Sequence, residues 1–468
     1  KYLLEVNGRY DGTSRFMKDQ RWNFFPSFSL GWNVARENFW KPLESVVNQF
    51  KLRGSWGELG NQNTSNLYPF YEILPVKSNS GNWLVNGGKT NTADIPSLVS
   101  TLLTWERVRS FNVGFDFGAF SNRLTGSFDY FVRKTVDMVG PAPQLPLVLG
   151  IAPAIVNNAD MKSYGFEIEL SWRDRIGEVD YGVKFNLADA QQKVVKYPNT
   201  TNAFSDWYAG KMSGEIWGYT SLGIAKTDEE MKEHLASLPN GGQNQLGNKW
   251  GAGDIMYADI NGDGKVDGGK GTLADPGDQR IIGNSTPRYN FGLVLDASYK
   301  GFDVSIFFQG VGKRDYAPIV GTNGAVFWGA VNNIWQSMAM EEHFDYFRPE
   351  GHPMGANLNG YYPRPDFTSN KNHQVQTRYL QDASYIRLKN FQLGYTLPAS
   401  MIRKIGITNC RIFVSGENLW TGTKLSKLFD PETISGGNTD SNASAPIKSA
   451  GNAYPLSRTW SFGLSVSL

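Results

Sequence analysis

The chain alternates large apolar residues with small or polar ones along most of its length. In the segment 459–468, written TWSFGLSVSL, every second residue is tryptophan, phenylalanine, leucine or valine. A period of two places these side chains on one face of a β-strand and the small ones on the other. The same pattern recurs about a dozen times and predicts an all-β protein. Clear examples lie at 24–32, 111–117, 128–132, 166–172, 181–187, 289–295 and 302–308.

The second face of these predicted strands carries charged residues. Examples are Asp116, Asp129, Glu167, Glu169, Lys184 and Asp303. Charged side chains are costly in the dry core of a soluble β-sandwich, whereas a membrane barrel places them in a wet lumen. The pattern therefore favours a transmembrane antiparallel β-barrel, with the apolar face in lipid.

The connections between the predicted strands alternate in length. The long ones span about 59–104, 134–160, 190–287, 313–382 and 418–457, and the short ones include 118–122, 173–179, 300–301 and 398–407. Transmembrane barrels have short periplasmic turns and long outer loops, whereas a sandwich or a propeller gives no reason for this rhythm. We therefore expect residues 1–468 to form about 12 strands, with the five long loops outside the cell.

Two local signals refine this prediction. In the strand 385–397 the alternation slips near Lys389 and Asn390, which indicates a β-bulge. In the longest loop Thr227 is followed by Glu230, a capping box that predicts the start of a helix.

Composition narrows the choice of compartment and partner. The chain has 46 Lys and Arg against 44 Asp and Glu, a net charge of +2, so nothing favours binding to nucleic acid. Cys410 is the only cysteine, which excludes an internal disulfide. The mean hydropathy of −0.39 suits a soluble protein or a barrel with a polar lumen. A surface protein needs a signal peptide, and none is recognisable, so we expect the natural start to lie upstream.

One stretch of the longest loop, DINGDGKVD, has the spacing of a calcium loop. Oxygen ligands at positions 1, 3, 5, 7 and 9 and a glycine at position 6 suit Ca²⁺. The candidate ligands are Asp259, Asn261, Asp263, the backbone carbonyl of Lys265, Asp267 and Asp278, the last in place of the usual glutamate. The alternative is a turn-rich loop that binds nothing, because Asp, Asn and Gly are also ordinary turn residues.

Aromatic residues are frequent in the predicted outer loops. Flat rings beside polar groups suit contacts with sugars or peptides, but loop packing or an interfacial aromatic belt would need the same residues. The candidate ligand contacts are Trp207, Tyr208, Trp217, Trp328, Trp335, Tyr361 and Tyr362. The four histidines lack metal-ligand spacing and no catalytic motif is present, so we expect no enzymatic activity.

Several segments, taken in their order, resemble the SusC/RagA family of TonB-dependent outer-membrane transporters. They include RYDGTSRF, FFPSFSLGWNVARENFW, KLRGSWGELGNQN, NNADMKSYGFEIELSW, GDIMYADINGDGKVD and ASYIRLKNFQLGYTLP. Each segment is weak evidence alone, but the resemblance runs from the first residue to the last.

The resemblance implies a 22-stranded barrel, of which this chain would supply the C-terminal dozen strands without the N-terminal plug domain. It also implies a SusD-like lipoprotein that acts as a lid over the outer mouth. Energy for transport would come from the TonB–ExbB–ExbD complex through the N-terminal part of the protein. The expected function is active import of a glycan or peptide nutrient across the bacterial outer membrane.

Two other functions stay open at this point. One is a stand-alone TonB-dependent receptor or a passive porin, which would work without a lid. The other is a soluble carbohydrate-binding or hydrolytic β protein, which the charged strand faces and the loop rhythm disfavour.

Overall fold

The main element of the fold is a twelve-stranded β-sheet. The computed structural model describes residues 1–62, 64, 67–140, 148, 150–151, 153–318, 326–329, 339–366, 370–403, 406–434 and 455–467. In order across the sheet, the strands are β1 (Tyr2–Gly12), β2 (Trp22–Asn33), β3 (Val47–Asn61), β8 (Glu106–Ala119), β9 (Leu124–Gly140), β10 (Val156–Ile176), β11 (Val179–Lys196), β16 (Arg288–Tyr299), β17 (Phe302–Lys313), β20 (Tyr385–Thr396), β21 (Asn409–Thr423) and β22 (Thr459–Ser467). Each strand of this sheet thus lies beside the sheet strand that follows it in the sequence. The predicted dozen strands are confirmed.

The connections hold short strand pairs and helices. The pairs are β4 (Val76–Lys77) with β7 (Thr92–Ala93), β5 (Leu84–Val85) with β6 (Gly88–Lys89), β12 (Glu215–Gly218) with β15 (Arg280–Asn284), β13 (Ser221–Ile224) with β14 (Ile255–Tyr257), and β18 (Asp315–Tyr316) with β19 (Gln381–Asp382). The helices are α1 (Asp228–Ala236), α2 (Ala399–Ile402) and the 3₁₀ turns Lys18–Gln20, Val34–Arg36, Asn38–Leu43 and Glu341–Phe344. Within the described part of the chain, no helix is long and apolar enough to cross a membrane.

Helix α1 begins where the sequence predicts it. The Thr227 hydroxyl accepts a hydrogen bond from the Glu230 backbone N–H at 3.1 Å, which satisfies one of the free donors at the helix start. The Glu230 carboxylate in turn accepts from the Lys226 backbone N–H at 2.6 Å.

Large apolar residues lie opposite one another on one face of the sheet. Leu52 of β3 pairs with Phe115 of β8, and Phe115 pairs with Phe128 of β9. Leu295 of β16 likewise pairs with Ile306 of β17. This register joins the apolar positions of successive strands into one surface, as the period-two pattern predicts.

Many side chains on this apolar face are exposed. The exposed fraction is 73% for Leu4, 60% for Leu30 and 83% for Phe462. A sandwich would bury such residues against a second sheet, whereas a membrane barrel turns them to lipid.

Ion pairs on the opposite face reach across an intervening strand. Arg53 of β3 contacts Asp129 of β9 at 2.6 Å, although β8 lies between them. Arg411 of β21 contacts Asp303 of β17 in the same way, across β20. At the first site β8 presents Gly114, and a Cβ there would collide with the Phe128 backbone carbonyl and, at 2.7 Å, with the Asp129 carboxylate. The glycine therefore leaves the space that the ion pair occupies.

The predicted bulge in β20 is confirmed. Phe307 of β17 pairs with Asn390 and Phe308 pairs with Leu388, so Lys389 is an extra residue in the ladder. One added residue restores the apolar phase on both sides of the slip.

Strand pairing continues into several of the predicted loops, and β3 reaches Asn61 in the loop predicted at 59–104. Strands β9, β11 and β21 end at Gly140, Lys196 and Thr423, inside the loops predicted at 134–160, 190–287 and 418–457. These strand ends have polar residues on both faces, as in QQKVVK, so the alternation that marks a strand is lost there although backbone pairing persists.

Residue contacts divide the chain into two units. The first comprises Lys1–Glu167, Ala190–Asn202 and Asp206–Met212, and its small core contains Phe16, Phe25, Leu103 and Trp105. The second comprises Ile168–Asp189, Ala203–Ser205 and Ser213–Leu468, and its core lies in the long connections described below.

We predict that Gly114→Ala lowers the stability of the folded sheet by about 1–3 kcal/mol, because the new methyl group overpacks the space beside a backbone carbonyl. Gly54→Ala on the neighbouring strand is the matched control, since a Cβ at Gly54 has its nearest neighbour at an ordinary 3.9 Å. The measurement is the temperature at which each protein loses its folded mobility on a detergent gel. Equal melting of the two variants would contradict the packing argument.

Candidate functional site in the long connections

The long connections of the second unit share one apolar core, which we call the loop core. Its buried members are Tyr219, Ile224, Leu238, Ile255, Tyr257, Val266, Tyr316, Phe327, Trp328, Phe347, Tyr362, Tyr379, Ala383, Leu425, Phe429 and Ile434. Short strands and turns offer few inward positions, and an aromatic ring buries more area per position than an aliphatic side chain. The same burial raises the pKa of the Tyr362 and Tyr379 phenols, which keeps both neutral.

Two predicted ligand contacts lie inside this core. Trp328 is fully buried, with its ring 4.9 Å from that of Tyr379 and 5.8 Å from that of Tyr362. Tyr362 is 2% exposed. Both rings are covered by other protein rings and pack inside the loop core, and their role as ligand contacts stays a prediction. The sequence left both roles open, since packing and ligand binding need the same residue types.

Two further candidates lie at the edge of the second unit's packing. Tyr361 is partly buried, and its hydroxyl accepts a hydrogen bond from the Gln381 side chain at 2.6 Å. The Trp217 ring stacks on Phe204 with centroids 4.6 Å apart. Neither residue has been tested as a ligand contact, and that role stays a prediction.

The remaining candidates belong to the first unit or lie outside the described residues. Trp207 is 41% exposed and its ring lies 5.6 Å from that of Tyr197. Next to it, the Tyr208 ring lies 5.3 Å from the ammonium group of Lys211. Trp335 falls outside the described residues. The structure thus brings Trp328, Tyr361 and Tyr362 together, while Trp207 and Tyr208 form a separate group.

A buried carboxylate links distant parts of the loop core. Asp254 is fully buried, and its side chain accepts hydrogen bonds from Arg364 at 2.6 Å, Lys371 at 2.9 Å and Asn372 at 3.0 Å. Lys371 is itself only 1% exposed, and its ammonium also donates to the Lys249 carbonyl at 3.0 Å. Buried charges persist only when they are paired and hydrogen-bonded, so this network holds the 249–254 segment against Arg364, Lys371 and Asn372.

Two buried amides complete the backbone pairing of the loop core. Gln243 donates to the Ile255 carbonyl at 2.8 Å and accepts from the Tyr257 N–H at 3.1 Å. Gln376 donates to the Tyr257 hydroxyl at 3.1 Å and to the Asn372 carbonyl at 2.9 Å. The sequence analysis missed these residues, since a lone glutamine in a polar loop carries no periodic or motif signal.

The calcium-like loop closes on itself through its own side chains. The Asp259 carboxylate accepts from the backbone N–H groups of Gly262 and Gly264 at 2.7 and 2.8 Å. Asn261 accepts from the Asp263 N–H at 3.0 Å. Gly264 has φ +81°, the conformation that the sharp turn of a calcium loop needs.

A lysine supplies positive charge to this loop. The Lys265 ammonium lies 2.5 Å from Asp267 and 3.9 Å from Asp263. The pairing lowers the pKa of Asp267 and raises that of Lys265. Among the described residues, no group of three or more His, Cys, Asp or Glu side chains is gathered as a metal-ligand set. Ca²⁺ binding at this loop therefore stays a prediction.

Asp278 folds back onto the same loop. It is fully buried and accepts from the backbone N–H groups of Ile260 at 2.7 Å and Asp267 at 2.8 Å. Burial raises the pKa of this carboxyl group, and the backbone donors oppose that shift. The side chain ties both ends of the 260–267 turn to the 278 segment.

His373 is buried beside Trp328. The two ring centroids are 4.2 Å apart, and neither imidazole nitrogen has a hydrogen-bond partner among the described residues. Burial lowers the pKa of His373 to about 4, although the charge of Asp366 acts in the opposite direction. The imidazole is therefore neutral near pH 7 in the folded loop core.

We predict that the loop core loses stability as the pH falls from 6.5 towards 4. Unfolded His373 takes up a proton below its ordinary pKa of 6.5, whereas the folded form resists protonation down to about pH 4. The free energy of unfolding should fall by roughly 2–4 kcal/mol over this range. Above pH 6.5 the contribution of His373 to that free energy should not change with pH.

The measurement is thermal unfolding of the purified protein, followed by tryptophan fluorescence across that pH range. His373→Phe, which keeps a flat ring but cannot titrate, is the control and should lose this part of the pH dependence. An identical pH profile for the two proteins would show that His373 does not cause it.

Known proteins match this chain over its whole described fold. The family model "TonB dependent receptor-like, beta-barrel" matches residues 1–419. TonB-dependent receptor P3 of Formosa agariphila is 29% identical over all of this chain and 44% of its own length. TonB-dependent receptor SusC of Bacteroides thetaiotaomicron is 24% identical over all of this chain and 42% of its own.

A solved structure supports the same fold. The transporter chain described as "RagAB peptide transporter" superposes with a TM-score of 0.72 and 21% identity, over 99% of this chain and 46% of that one. This chain therefore spans less than half the length of the relatives it matches. The family match, the strand order and the apolar outer face agree: the chain belongs to the TonB-dependent receptor β-barrel family of the outer membrane and is of the SusC/RagA type.

Proposed function

We propose that the complete protein imports a glycan or peptide nutrient across the bacterial outer membrane, with energy from the TonB–ExbB–ExbD complex. The observation that carries the proposal is a barrel wall, apolar on one face and charged on the other, whose long connections fold around their own core. A passive pore needs only the wall. A folded set of outer loops suits a receptor that must hold a ligand before transport.

We also propose that a SusD-like lipoprotein covers the outer mouth as a lid. The long connection between β3 and β8 supports this, because it exposes many large apolar side chains. They include Leu67, Tyr68, Tyr71, Ile73, Leu74, Val76, Trp83, Leu84, Ile95 and Leu102. Contiguous exposed apolar residues of this kind mark a protein-interaction surface.

The substrate class stays a choice between glycan and peptide. Trp207, Tyr208 and Trp217 are candidate contacts that do not belong to the loop core, and the exposed indole of Trp207 can stack on a sugar or on a peptide side chain. RagAB, whose transporter chain shares this fold, is a peptide transporter.

Uptake of labelled oligosaccharides and peptides by whole cells tests the proposal. We expect deletion of the gene to abolish uptake of one class and disruption of tonB to have the same effect. Uptake that persists without TonB would indicate a passive porin instead. Gentle purification of the complete protein should also recover a lipoprotein in equal amount, whereas recovery of the barrel alone would favour a receptor without a lid.

As a second part of the proposal, Ca²⁺ binds the 259–278 loop and orders it without taking part in transport. The oxygen groups of Asp259, Asn261, Asp263 and Asp267 supply hard ligands at the required spacing, and the positive φ of Gly264 fits the turn. Bound Ca²⁺ would replace the Lys265 ammonium as the cation beside these carboxylates.

We predict that limited proteolysis cuts residues 250–280 faster in a chelator than in millimolar Ca²⁺, because the metal joins side chains that otherwise only close local turns. Asp263→Asn removes one charged ligand and should reduce this difference. Equal cleavage with and without Ca²⁺ in the native protein would favour a loop that binds no metal.

A further inference from the structure

The connection between β2 and β3 is longer than a turn at this end of the sheet requires. It contains the 3₁₀ turns Val34–Arg36 and Asn38–Leu43, and we call residues 34–46 the rim segment. The next connection at the same end, between β8 and β9, spans only residues 120–123. A hairpin needs about 2–5 residues, so the extra length of the rim segment must have another role.

The rim segment is amphipathic with a period of three. Hydrogen bonds from Glu44 N–H to the Lys41 carbonyl and from Val46 N–H to the Leu43 carbonyl, at 3.3 and 3.0 Å, extend the 3₁₀ spacing to residue 46. Side chains three residues apart then lie above one another. One stripe is polar and consists of Asn38, Lys41 and Glu44. The second begins with Phe39 and Pro42 and ends on Ser45, and the third is apolar throughout, with Trp40, Leu43 and Val46.

Two aromatic contacts hold the rim segment against the strands. The Trp40 ring stacks on Phe50 with centroids 5.2 Å apart, and its indole N–H donates to the Val47 carbonyl at 2.9 Å. The Phe39 ring meets Trp32 edge to face at 6.4 Å.

Both strand partners lie on the apolar face of the sheet. Trp32 pairs with Leu52 of β3, and Phe50 pairs with Phe117 of β8. The rim segment therefore folds back onto the lipid-facing side of the wall and not towards the charged face.

The apolar stripes of the rim segment are nevertheless exposed. The exposed fraction is 64% for Phe39, 50% for Leu43 and 46% for Val46. They continue the apolar face of the sheet, since Tyr2 at 69% exposure stacks on Trp32 at 6.3 Å. In an outer-membrane barrel that face contacts lipid, and lipid would then also cover the apolar side chains of the rim segment.

We propose that the rim segment is an interfacial anchor that lies in the phospholipid leaflet at the short-connection end of the barrel. Phe39, Leu43 and Val46 contact acyl chains, and the polar stripe with Lys41 faces the headgroups and water. Interfacial helices of this kind sit about 5–10 Å into the boundary between headgroups and acyl chains. The inference depends on the outer-membrane location alone and not on the substrate or the lid.

The test places a fluorescent probe on each face of the rim segment. In the complete protein, with Cys410 and any cysteine outside this chain replaced by alanine, the variants Phe39→Cys, Leu43→Cys and Glu44→Cys are labelled with an environment-sensitive dye and reconstituted in phospholipid vesicles. The vesicles contain lipids with a nitroxide either near the headgroup or deep in the acyl chain. Two apolar positions are labelled, so that if one variant does not fold, the other still tests the proposal.

We expect the dye at positions 39 and 43 to emit at shorter wavelength than at 44 and to lose more intensity with the shallow nitroxide than with the deep one. Three results would overturn the proposal. Equally weak quenching at 39, 43 and 44 would place the whole segment in water. Blue emission without quenching would mean that protein covers the apolar stripes. Stronger quenching by the deep nitroxide would put the segment inside the hydrocarbon, away from the headgroups.

Discussion

In hydrocarbon every backbone N–H and C=O group must be paired within the protein, and this constraint shapes the rest of the structure. A continuous antiparallel ladder meets it, and the period of two along each strand then separates a lipid face from a polar face. The bulge at Lys389 shows how strict the separation is, because one extra residue restores the apolar phase after a slip. On the polar face Gly114 meets a comparable packing requirement. Its lack of a side chain leaves room for the Arg53–Asp129 ion pair to cross β8.

Outside the membrane the long connections meet a different requirement. Each connection has too few regular elements to form a core by itself. Segments that are far apart in the chain therefore contribute large aromatic side chains, such as Trp328 and Tyr379, to one shared core. Asp254 then fixes which segments meet, because a buried carboxylate is tolerated only where Arg364 and Lys371 both reach it. A loop core held in this way can present a fixed surface to a ligand or a lid.

The sheet could be predicted from the sequence because its physics is local and periodic. The strands, the bulge at Lys389 and the helix after Thr227 all follow from spacing within one segment. The loop core could not, since Gln243 and Lys371 act through partners that are far apart in the chain and follow no period. For strand ends such as QQKVVK the sequence predicts loops, because both faces carry polar residues there. Aromatic residues suit packing and ligand binding alike, so the sequence alone does not show that the Trp328 ring is buried.

The central claim is that the long connections of the second unit form a folded body and are not a set of independent loops. Hydrogen–deuterium exchange of the complete protein in lipid nanodiscs tests this claim most directly. The Ile255 and Tyr257 amides bond to Asn372 and Gln243, and we expect them to exchange as slowly as amides of the wall strands. Exchange of these amides as fast as that of the exposed 76–93 connection would contradict the account.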